Sequence, residues 1–234
     1  MNKNIEVERL LSQSSYNFED LCTILAILRG EGGCPWDAEQ THTSIRKNFI
    51  EETYEVIEAI DTENFDLLRE ELGDVMLQVV FHAQMEKEAG RFDINDVAND
   101  VCVKLIHRHP HIFGDVKANT ADEVLSNWEA IKNVEKKRES MYDRLSSIPS
   151  MTPALMRAQK LSKKSGEFVS IDDSELISRA QALLSSMEST SESNSEMLVG
   201  ELLFTVSALC YKKDVDAEEA LYKYSNSFVE KYNK

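Results

Sequence analysis

An all-α fold is indicated by how rarely the chain is interrupted. Only eight glycines and four prolines occur among its 234 residues, so turns are favoured at few places. Between them, apolar side chains recur every three to four positions, which is the spacing of an amphipathic helix and not the alternation of a strand. We therefore predict a series of helices that bury their apolar stripes against one another.

The same spacing places the helices in order along the chain. Two of them, near residues 49–61 and 65–89, carry acidic runs inside an otherwise apolar pattern. Further helices are predicted at 18–28, 93–108, 121–139, 197–211 and 217–232. The glycine- and proline-containing segment 29–37 is predicted to be a loop, and the serine-rich segment 185–195 a flexible loop.

Composition narrows the class of protein. A hydrophobic content of 42% and a charged content of 29% are ordinary for a globular protein with a sizeable core. The formal net charge of −16 argues against a nucleic-acid backbone or an anionic membrane as the partner. A small anionic substrate stays compatible with this charge, because a bound divalent cation reverses the local field.

Targeting signals are not evident in the sequence. It contains no run of about 18 apolar residues, the length expected of a transmembrane helix. The N-terminal stretch MNKNIEVERLLSQSS lacks the apolar centre of a signal peptide. The four cysteines form no C-x-x-C pair and fit reduced thiols better than a disulfide framework, so we expect a cytoplasmic protein.

Two acidic runs, EETYE at 51–55 and EELGD at 70–74, are the main chemical signal. Side chains three or four positions apart share one face of a helix, and a short turn makes neighbouring helices antiparallel. The two helices could therefore bring carboxylates from both runs to one point. These carboxylates are those of Glu52, Glu55, Glu71 and Asp74.

The second acidic helix favours function over a solvated acidic face. Its stretch VMLQVVFHA at 75–83 is too apolar for a surface helix, yet a polar stripe of Glu71, Asp74, Gln78 and His82 runs along it. Buried charge survives only when it is paired or bound to metal. Gln78 and His82 could support a metal-binding face or satisfy each other in the core.

A cation would relieve the repulsion within such a cluster. At an effective dielectric near 20, two carboxylates about 5 Å apart repel by roughly 3 kcal/mol. Ligation by carboxylate oxygens alone favours magnesium, manganese or calcium over zinc or copper. A di-iron bundle is disfavoured, because the sequence offers the single E-x-x-H of Glu39 and His42 where that site needs two.

Other residues could hold a phosphorylated ligand. Lys104 and Arg108 share a helical face and suit a polyphosphate, although a solvated basic face would show the same spacing. Trp36 and Trp128 could stack on a base or belong to the core, and Lys47 could reach a phosphate. No Walker loop, G-x-G-x-x-G or Ser-His-Asp order occurs, so metal and basic side chains must bind the phosphates.

The order E-E-x-x-E followed by E-x-x-D resembles the MazG family of nucleoside triphosphate pyrophosphohydrolases. The resemblance runs from about residue 20 to 160 and includes GGCPWDAEQTH at 32–42, KLIHRHPHIFGDV at 104–116 and VLSNWEAIKNVEK at 124–136. It implies an all-α helical bundle that cleaves a nucleoside triphosphate into a monophosphate and pyrophosphate. Magnesium is the implied cofactor, with manganese as a substitute, and a homodimer or higher homo-oligomer is the implied assembly.

The resemblance also assigns residues. It implies magnesium ligation by Glu52, Glu55, Glu71 and Asp74, phosphate contacts from Lys104 and Arg108, and nucleotide binding by Trp128. The substrate-binding set is completed by Trp36 and Lys47. Either Glu51 or Glu55 could orient the attacking water, and the sequence does not choose between them.

A second, degenerate module is predicted after the first. The predicted ranges are 1–140 for the catalytic helical domain, 141–153 for a connector and 154–234 for the second module. GELLF at 200–204 echoes GDVML at 73–77, which puts Leu198 where the first module has Glu71 and leaves Glu201 as a lone carboxylate. We therefore expect this module to bind no metal.

Two other functions remain open at the level of sequence. One is a related all-α nucleotide hydrolase of narrow specificity, either dUTPase-like or cleaving phosphoribosyl-ATP. The other is a helical interaction protein whose acidic cluster only binds a cation. Lys104 and Arg108 argue against the second, because a cation-binding protein has no need of them.

Overall fold

Helices account for all regular structure in the described part of the chain, which confirms the predicted all-α fold. The computed structural model describes residues 3–135, 140–189 and 192–233. Two compact units divide the chain, Met1–Trp128 and Glu129–Lys234. This division falls inside a helix, Ala121–Glu135, and the functional ranges 1–140, 141–153 and 154–234 stay predictions.

The first unit is built around its longest helix. In chain order its helices are α1 (Lys3–Leu11), α2 (Phe18–Arg29), α3 (Pro35–Glu39), α4 (Arg46–Asp61), α5 (Phe65–Glu88), α6 (Ile94–Arg108) and α7 (Pro110–Phe113), followed by α8 (Ala121–Glu135) at the division. The short helices α1, α3 and α7 were not predicted from the sequence, whereas α2, α5 and α6 were placed within two residues of their ends.

A tight turn makes α4 and α5 an antiparallel hairpin. Glu63 adopts a left-handed backbone with φ of 51°, which reverses the chain between the two helices. Asn64 then caps α5, because its side-chain oxygen accepts a hydrogen bond from the Leu67 backbone N–H. The hairpin brings the two acidic runs onto neighbouring helices, as the sequence predicted.

The core of the first unit lies between α2 and the second half of α5. Leu25, Val80 and Phe81 are buried there together with Ile45 and Met85. Leu25 is 1% exposed and Ile45, which lies immediately before α4, is 2% exposed. The core therefore holds α5 and the start of α4, while Ala59 is the buried residue within α4 itself.

The residues on either side of helix α6 determine where it begins and ends. Gly90, with φ of 68°, turns the chain after α5. Asp93 accepts hydrogen bonds from the backbone N–H groups of Asn95 and Asp96 and begins α6 with a capping box. Arg108 is the last residue of α6 and its buried residue, and Pro110 lies two positions beyond it.

The second unit contains another long helical hairpin. Its helices are α9 (Met141–Ser146), α10 (Ala154–Ser165), α11 (Glu167–Ser170), α12 (Asp173–Ser189), α13 (Glu192–Lys212) and α14 (Ala217–Glu230). Phe168, Leu176 and Ala208 form its buried cluster, against which Phe204 packs. The predicted connector at 141–153 thus contains a short helix.

The loop predicted at 185–195 is wrong for the described residues of that segment. Helix α12 continues to Ser189 and α13 starts at Glu192. The hydroxyls of Ser185 and Ser186 donate to the carbonyls of Gln181 and Ala182 one turn earlier. Because serine can bond back to its own helix in this way, the polar composition was a poor guide to a break.

Among the described residues, no helix combines the length and the apolar character that crossing a membrane requires. Cys22, Cys34, Cys102 and Cys210 are all free thiols.

Truncation of a core leucine should destabilise the first unit. Leu25→Ala removes a side chain that is 1% exposed, and we expect a loss of about 2–5 kcal/mol in the free energy of unfolding. Both tryptophans, Trp36 and Trp128, lie in this unit, so urea unfolding followed by tryptophan fluorescence reports on it. Leu11→Ala, at a residue 80% exposed, is the control and should change stability by less than about 0.5 kcal/mol. Equal losses in both variants would contradict the assigned core.

Candidate active site

Three carboxylates meet across the α4–α5 hairpin. Oxygen atoms of Glu52 and Glu55 on α4 and of Glu71 on α5 all lie within 4.8 Å of one another. We call these three residues the acidic cluster. Glu71 is 8% exposed, whereas Glu55 faces solvent, so the cluster is buried on the α5 side and open on the α4 side.

Burial and mutual repulsion make the acidic cluster costly to ionise. Burial is the largest cause that raises the pKa of Glu52, followed by the charge of Asp74. Burial also raises the pKa of Glu71, followed by the charge of Glu55. Asp74 lies outside the group of three, but its charge acts on both Glu52 and Glu71. The four predicted metal ligands therefore interact, with three in close contact and Asp74 beside them.

The donor set fits a hard divalent cation. All of its groups are carboxylates, without nitrogen or sulfur ligands, which is the chemistry that magnesium and manganese prefer. A cation would also offset the repulsion that raises the two pKa values. Of the two residues predicted to orient water, Glu55 belongs to the acidic cluster and Glu51 is an exposed residue of α4 outside it.

The predicted phosphate-binding pair occupies two environments. Lys104 is exposed on α6, whereas Arg108 is 8% exposed. The guanidinium carbon of Arg108 lies 5.2 Å from the centroid of the Trp128 ring, which is a cation–π contact. The predicted phosphate residue and the predicted base-stacking residue are thus in contact with each other.

The segment that carries Trp36 is pinned to the end of α5. Arg29 forms an ion pair of 2.8 Å with Glu88 and donates to the carbonyl oxygens of Asp37 and Gln40. Trp36 itself is 59% exposed in α3. The bonds from Arg29 therefore hold the backbone beside Trp36, while the indole ring of Trp36 is exposed to solvent. Lys47, in the first turn of α4, is also exposed.

A second polar array, which sequence reasoning did not assemble, lies at the other end of the hairpin. Arg91 donates to both oxygens of Glu86, at 2.5 and 2.6 Å. His42 Nε2 lies 2.5 Å from a Glu86 oxygen, and His42 Nδ1 lies 2.6 Å from His82 Nδ1. We call His42, His82, Glu86 and Arg91 the histidine clasp. Glu86 continues the polar stripe one turn beyond His82, which is the signal that could have found it.

Gln78 does not pair with His82 in the way the sequence suggested as one option. The ring of His82 contacts His42 instead. Gln78 is 6% exposed, and its side-chain oxygen has no hydrogen-bond partner among the described residues.

The described residues of the second unit form no comparable cluster. Glu201, the lone carboxylate predicted there, forms an ion pair of 2.8 Å with Arg179 of α12. The acidic cluster of α4 and α5 is the one group of at least three potential metal ligands found in the described ranges. The α12–α13 hairpin thus carries an internal counter-charge where the α4–α5 hairpin carries clustered acids.

Comparison with known proteins relates these features to a family. The model of the MazG nucleotide pyrophosphohydrolase domain matches residues 40–113, the range that holds the acidic cluster, the histidine clasp, Lys104 and Arg108. A nucleoside triphosphate pyrophosphohydrolase/pyrophosphatase MazG of Thermotoga maritima is 38% identical over 227 residues, which are 96% of this chain and 87% of that relative. The chain belongs to the MazG family.

Other MazG-related proteins match a little under two thirds of this chain. A nucleoside triphosphate pyrophosphohydrolase of Escherichia coli K12 is 52% identical over 145 residues, 62% of this chain. One from Mycobacterium tuberculosis H37Rv is 40% identical over 152 residues, 64% of this chain. The match spans 55% of the E. coli protein and 45% of the mycobacterial one, about half the length of each.

Removal of one charge from the acidic cluster should have opposite effects on the thermal midpoint without metal and on the rise that magnesium causes. Glu71→Gln relieves repulsion and the cost of a buried charge, so without metal its thermal midpoint should equal or exceed that of the parent. The magnesium-induced rise in midpoint should shrink, because a ligand is lost. For the parent, a magnesium concentration about 100 times the dissociation constant adds roughly 2.7 kcal/mol of stability.

Melts in EDTA and in magnesium measure both effects. Glu58→Gln, at an exposed residue of α4 outside the acidic cluster, is the matched control and should keep the full magnesium-induced rise. A full rise in Glu71→Gln would exclude Glu71 as a ligand.

Proposed function

We propose that the protein hydrolyses nucleoside triphosphates to a nucleoside monophosphate and pyrophosphate with magnesium as cofactor. The observation that carries this proposal is the acidic cluster, whose carboxylates meet across two helices of the matched MazG domain. The names of the relatives from T. maritima and E. coli support it. Manganese is expected to replace magnesium, since it accepts the same oxygen donors.

In this proposal the carboxylates act on the metal and the water, and the basic residues act on the phosphates. Glu52, Glu55, Glu71 and Asp74 would hold the metal, which when bound neutralises phosphate charge and lowers the pKa of water. Glu55, open to solvent, orients the attacking water. Lys104 and Arg108 bind phosphate oxygens and hold the triphosphate for in-line attack.

The bond changes are those of a simple hydrolysis. Water attacks the α-phosphorus, and the bond from that phosphorus to the oxygen bridging the α- and β-phosphates breaks. Pyrophosphate leaves with that bonding pair, and the proton lost by the water passes to a carboxylate before it returns to solvent. The chain supplies no covalent nucleophile in this scheme.

A house-cleaning role in the nucleotide pool is the physiological part of the proposal. In this role the rings of Trp128 and the exposed Trp36 stack on the base. Lys47, which is also exposed, binds a phosphate. Stacking tolerates every base, because each has a π-face. The alternative is a narrow-specificity hydrolase, which would need hydrogen-bond readout of one base or sugar.

A nucleotide panel with pyrophosphate detection tests the activity. We expect release of pyrophosphate and monophosphate from several ribo- and deoxyribonucleoside triphosphates in magnesium. Release of orthophosphate, or no turnover at all, would contradict the proposal. Turnover of one substrate alone would favour the narrow-specificity alternative.

Loss of Lys104 should weaken substrate binding and leave metal binding intact. For Lys104→Ala we expect kcat/KM to fall about 10- to 100-fold, the effect of one lost charge-assisted hydrogen bond, with an unchanged magnesium-induced rise in midpoint. Lys160→Ala, at an exposed lysine of the second unit, is the control. Turnover at the parent rate in Lys104→Ala would remove Lys104 from the site.

We also propose that two or more copies associate through the first unit. Apolar side chains are exposed on one face of α4 and on α6, where Ile50 is 53%, Tyr54 56%, Val103 57% and Ile106 51% exposed. A two-fold axis would pair such a patch with itself and remove both copies from water. This supports the homodimer or higher homo-oligomer that the family resemblance implied.

Sedimentation equilibrium measures the assembly. The parent should give at least twice the chain mass of 26.6 kDa, and Val103→Glu should lower the mass toward one chain, because it places a charge in the interface. Leu11→Glu, at an exposed leucine of α1, should leave the mass unchanged. A parent that sediments as one chain would refute the proposal.

The second unit is proposed to bind no metal and to act in packing or assembly. The ion pair of Arg179 with Glu201 supports this, since Glu201 is the lone carboxylate at the positions that match the predicted metal ligands of the first module. A cytoplasmic location is part of the proposal and is supported by the four free cysteines.

A further inference from the structure

We propose that His42 is a positioning residue for the acidic cluster. It acts through the histidine clasp, which fixes the start of α4 on the end of α5 in the register that brings the clustered carboxylates together. This inference rests on the proposed metal-dependent function and adds to it a residue that touches neither metal nor substrate.

The clasp and the cluster lie at opposite ends of one hairpin. His42 precedes the first residue of α4 by four positions, and Glu86 lies two positions before the last residue of α5. The cluster joins the middle of α4 to the first half of α5. Along α5, Glu71 and His82 are about 16 Å apart, so the clasp acts at a distance through the helix.

The fully buried face of α4 is small for a helix that carries part of the acidic cluster. Ala59 is the buried side chain within α4, and the neighbouring turns expose Ile50, Tyr54 and Ile57. Carboxylates at such close range repel one another, most strongly where water is excluded. A helix with so small a buried face would move to relieve that repulsion unless it were tied elsewhere. Its ties to the rest of the unit include the hairpin turn, the half-buried Phe49, whose ring centroid lies 6.0 Å from that of His82, and the buried Ile45 with the clasp beside it.

The bonds of the clasp are directional and charged. Glu86 is 7% exposed and accepts two N–H bonds from Arg91. The bond from Arg91 is the main reason that its pKa falls to about 2, so the carboxylate stays ionised and binds His42 Nε2 as an anion. The Nδ1 atoms of His42 and His82 are 2.6 Å apart in nearly parallel rings, inclined by 5°. Because both ring nitrogens of His42 have a partner, the orientation of the His42 ring is fixed.

Two amide substitutions divide these contacts. In His42→Gln the side-chain nitrogen can reach Glu86 and the bond to His82 is lost. In His42→Asn the shorter amide can reach His82, and the bond to Glu86 is lost. His42→Ala loses both, and Thr43→Ala, at an exposed neighbour, is the matched control.

The measurement is a magnesium titration of the thermal midpoint of the full chain without nucleotide. We expect His42→Ala to raise the half-saturating magnesium concentration about 2- to 30-fold, the range found for residues that act on a site through the intervening structure. His42→Gln should recover most of the parent value, His42→Asn should recover less, and Thr43→Ala should match the parent. This order of the variants is the result that supports positioning through Glu86.

Three results would overturn the inference. A lower midpoint in EDTA with an unchanged half-saturating magnesium concentration in His42→Ala would make His42 merely structural. Equal recovery by the two amides would remove Glu86 from the explanation. A parent with neither a magnesium-induced rise nor pyrophosphate release would refute the proposed function and this inference with it, whereas a responsive parent refutes the positioning role alone.

Discussion

The first unit has to hold like charges on α4 and α5 together against their mutual repulsion. Oxygen atoms of three carboxylate side chains lie within 4.8 Å of one another, and burial raises the pKa of one of them, Glu71. The fold offsets this cost away from the cluster, through the apolar core around Leu25 and Val80 and through the oppositely charged pair of Glu86 and Arg91. The hairpin is thus strained at one end and held at the other.

Much of this could be predicted from the sequence, because helix periodicity fixes which side chains share a face. The spacing of Glu52 from Glu55 and the short turn before α5 were enough to predict that the acidic runs meet. What could not be predicted depends on tertiary contacts of single atoms. No periodicity indicates that His42, in the segment before α4, reaches Glu86 on α5, 44 residues later. The contact of Arg108 with Trp128 is hidden for the same reason.

Composition misled where local hydrogen bonds overrode it. The serine-rich stretch was predicted to be a loop, but Ser185 and Ser186 bond to carbonyls of their own helix. The internal echo of GDVML in GELLF was more informative, since the second unit does contain a long hairpin at that place. The two hairpins share this apolar spacing and differ in their charged residues, and the assignment of a second, related module stays a prediction.

The Arg179–Glu201 pair gives the two hairpins different dependences on ionic conditions. Its side chains are 41% and 46% exposed, so dissolved salt screens it, with a Debye length of about 8 Å at physiological ionic strength. The clustered acids of the first unit are like charges, whose repulsion salt also weakens, but to a smaller extent because Glu71 is buried. Monovalent salt therefore acts in opposite directions on the two halves of the chain, and it loosens the α12–α13 attraction while it eases the α4–α5 repulsion.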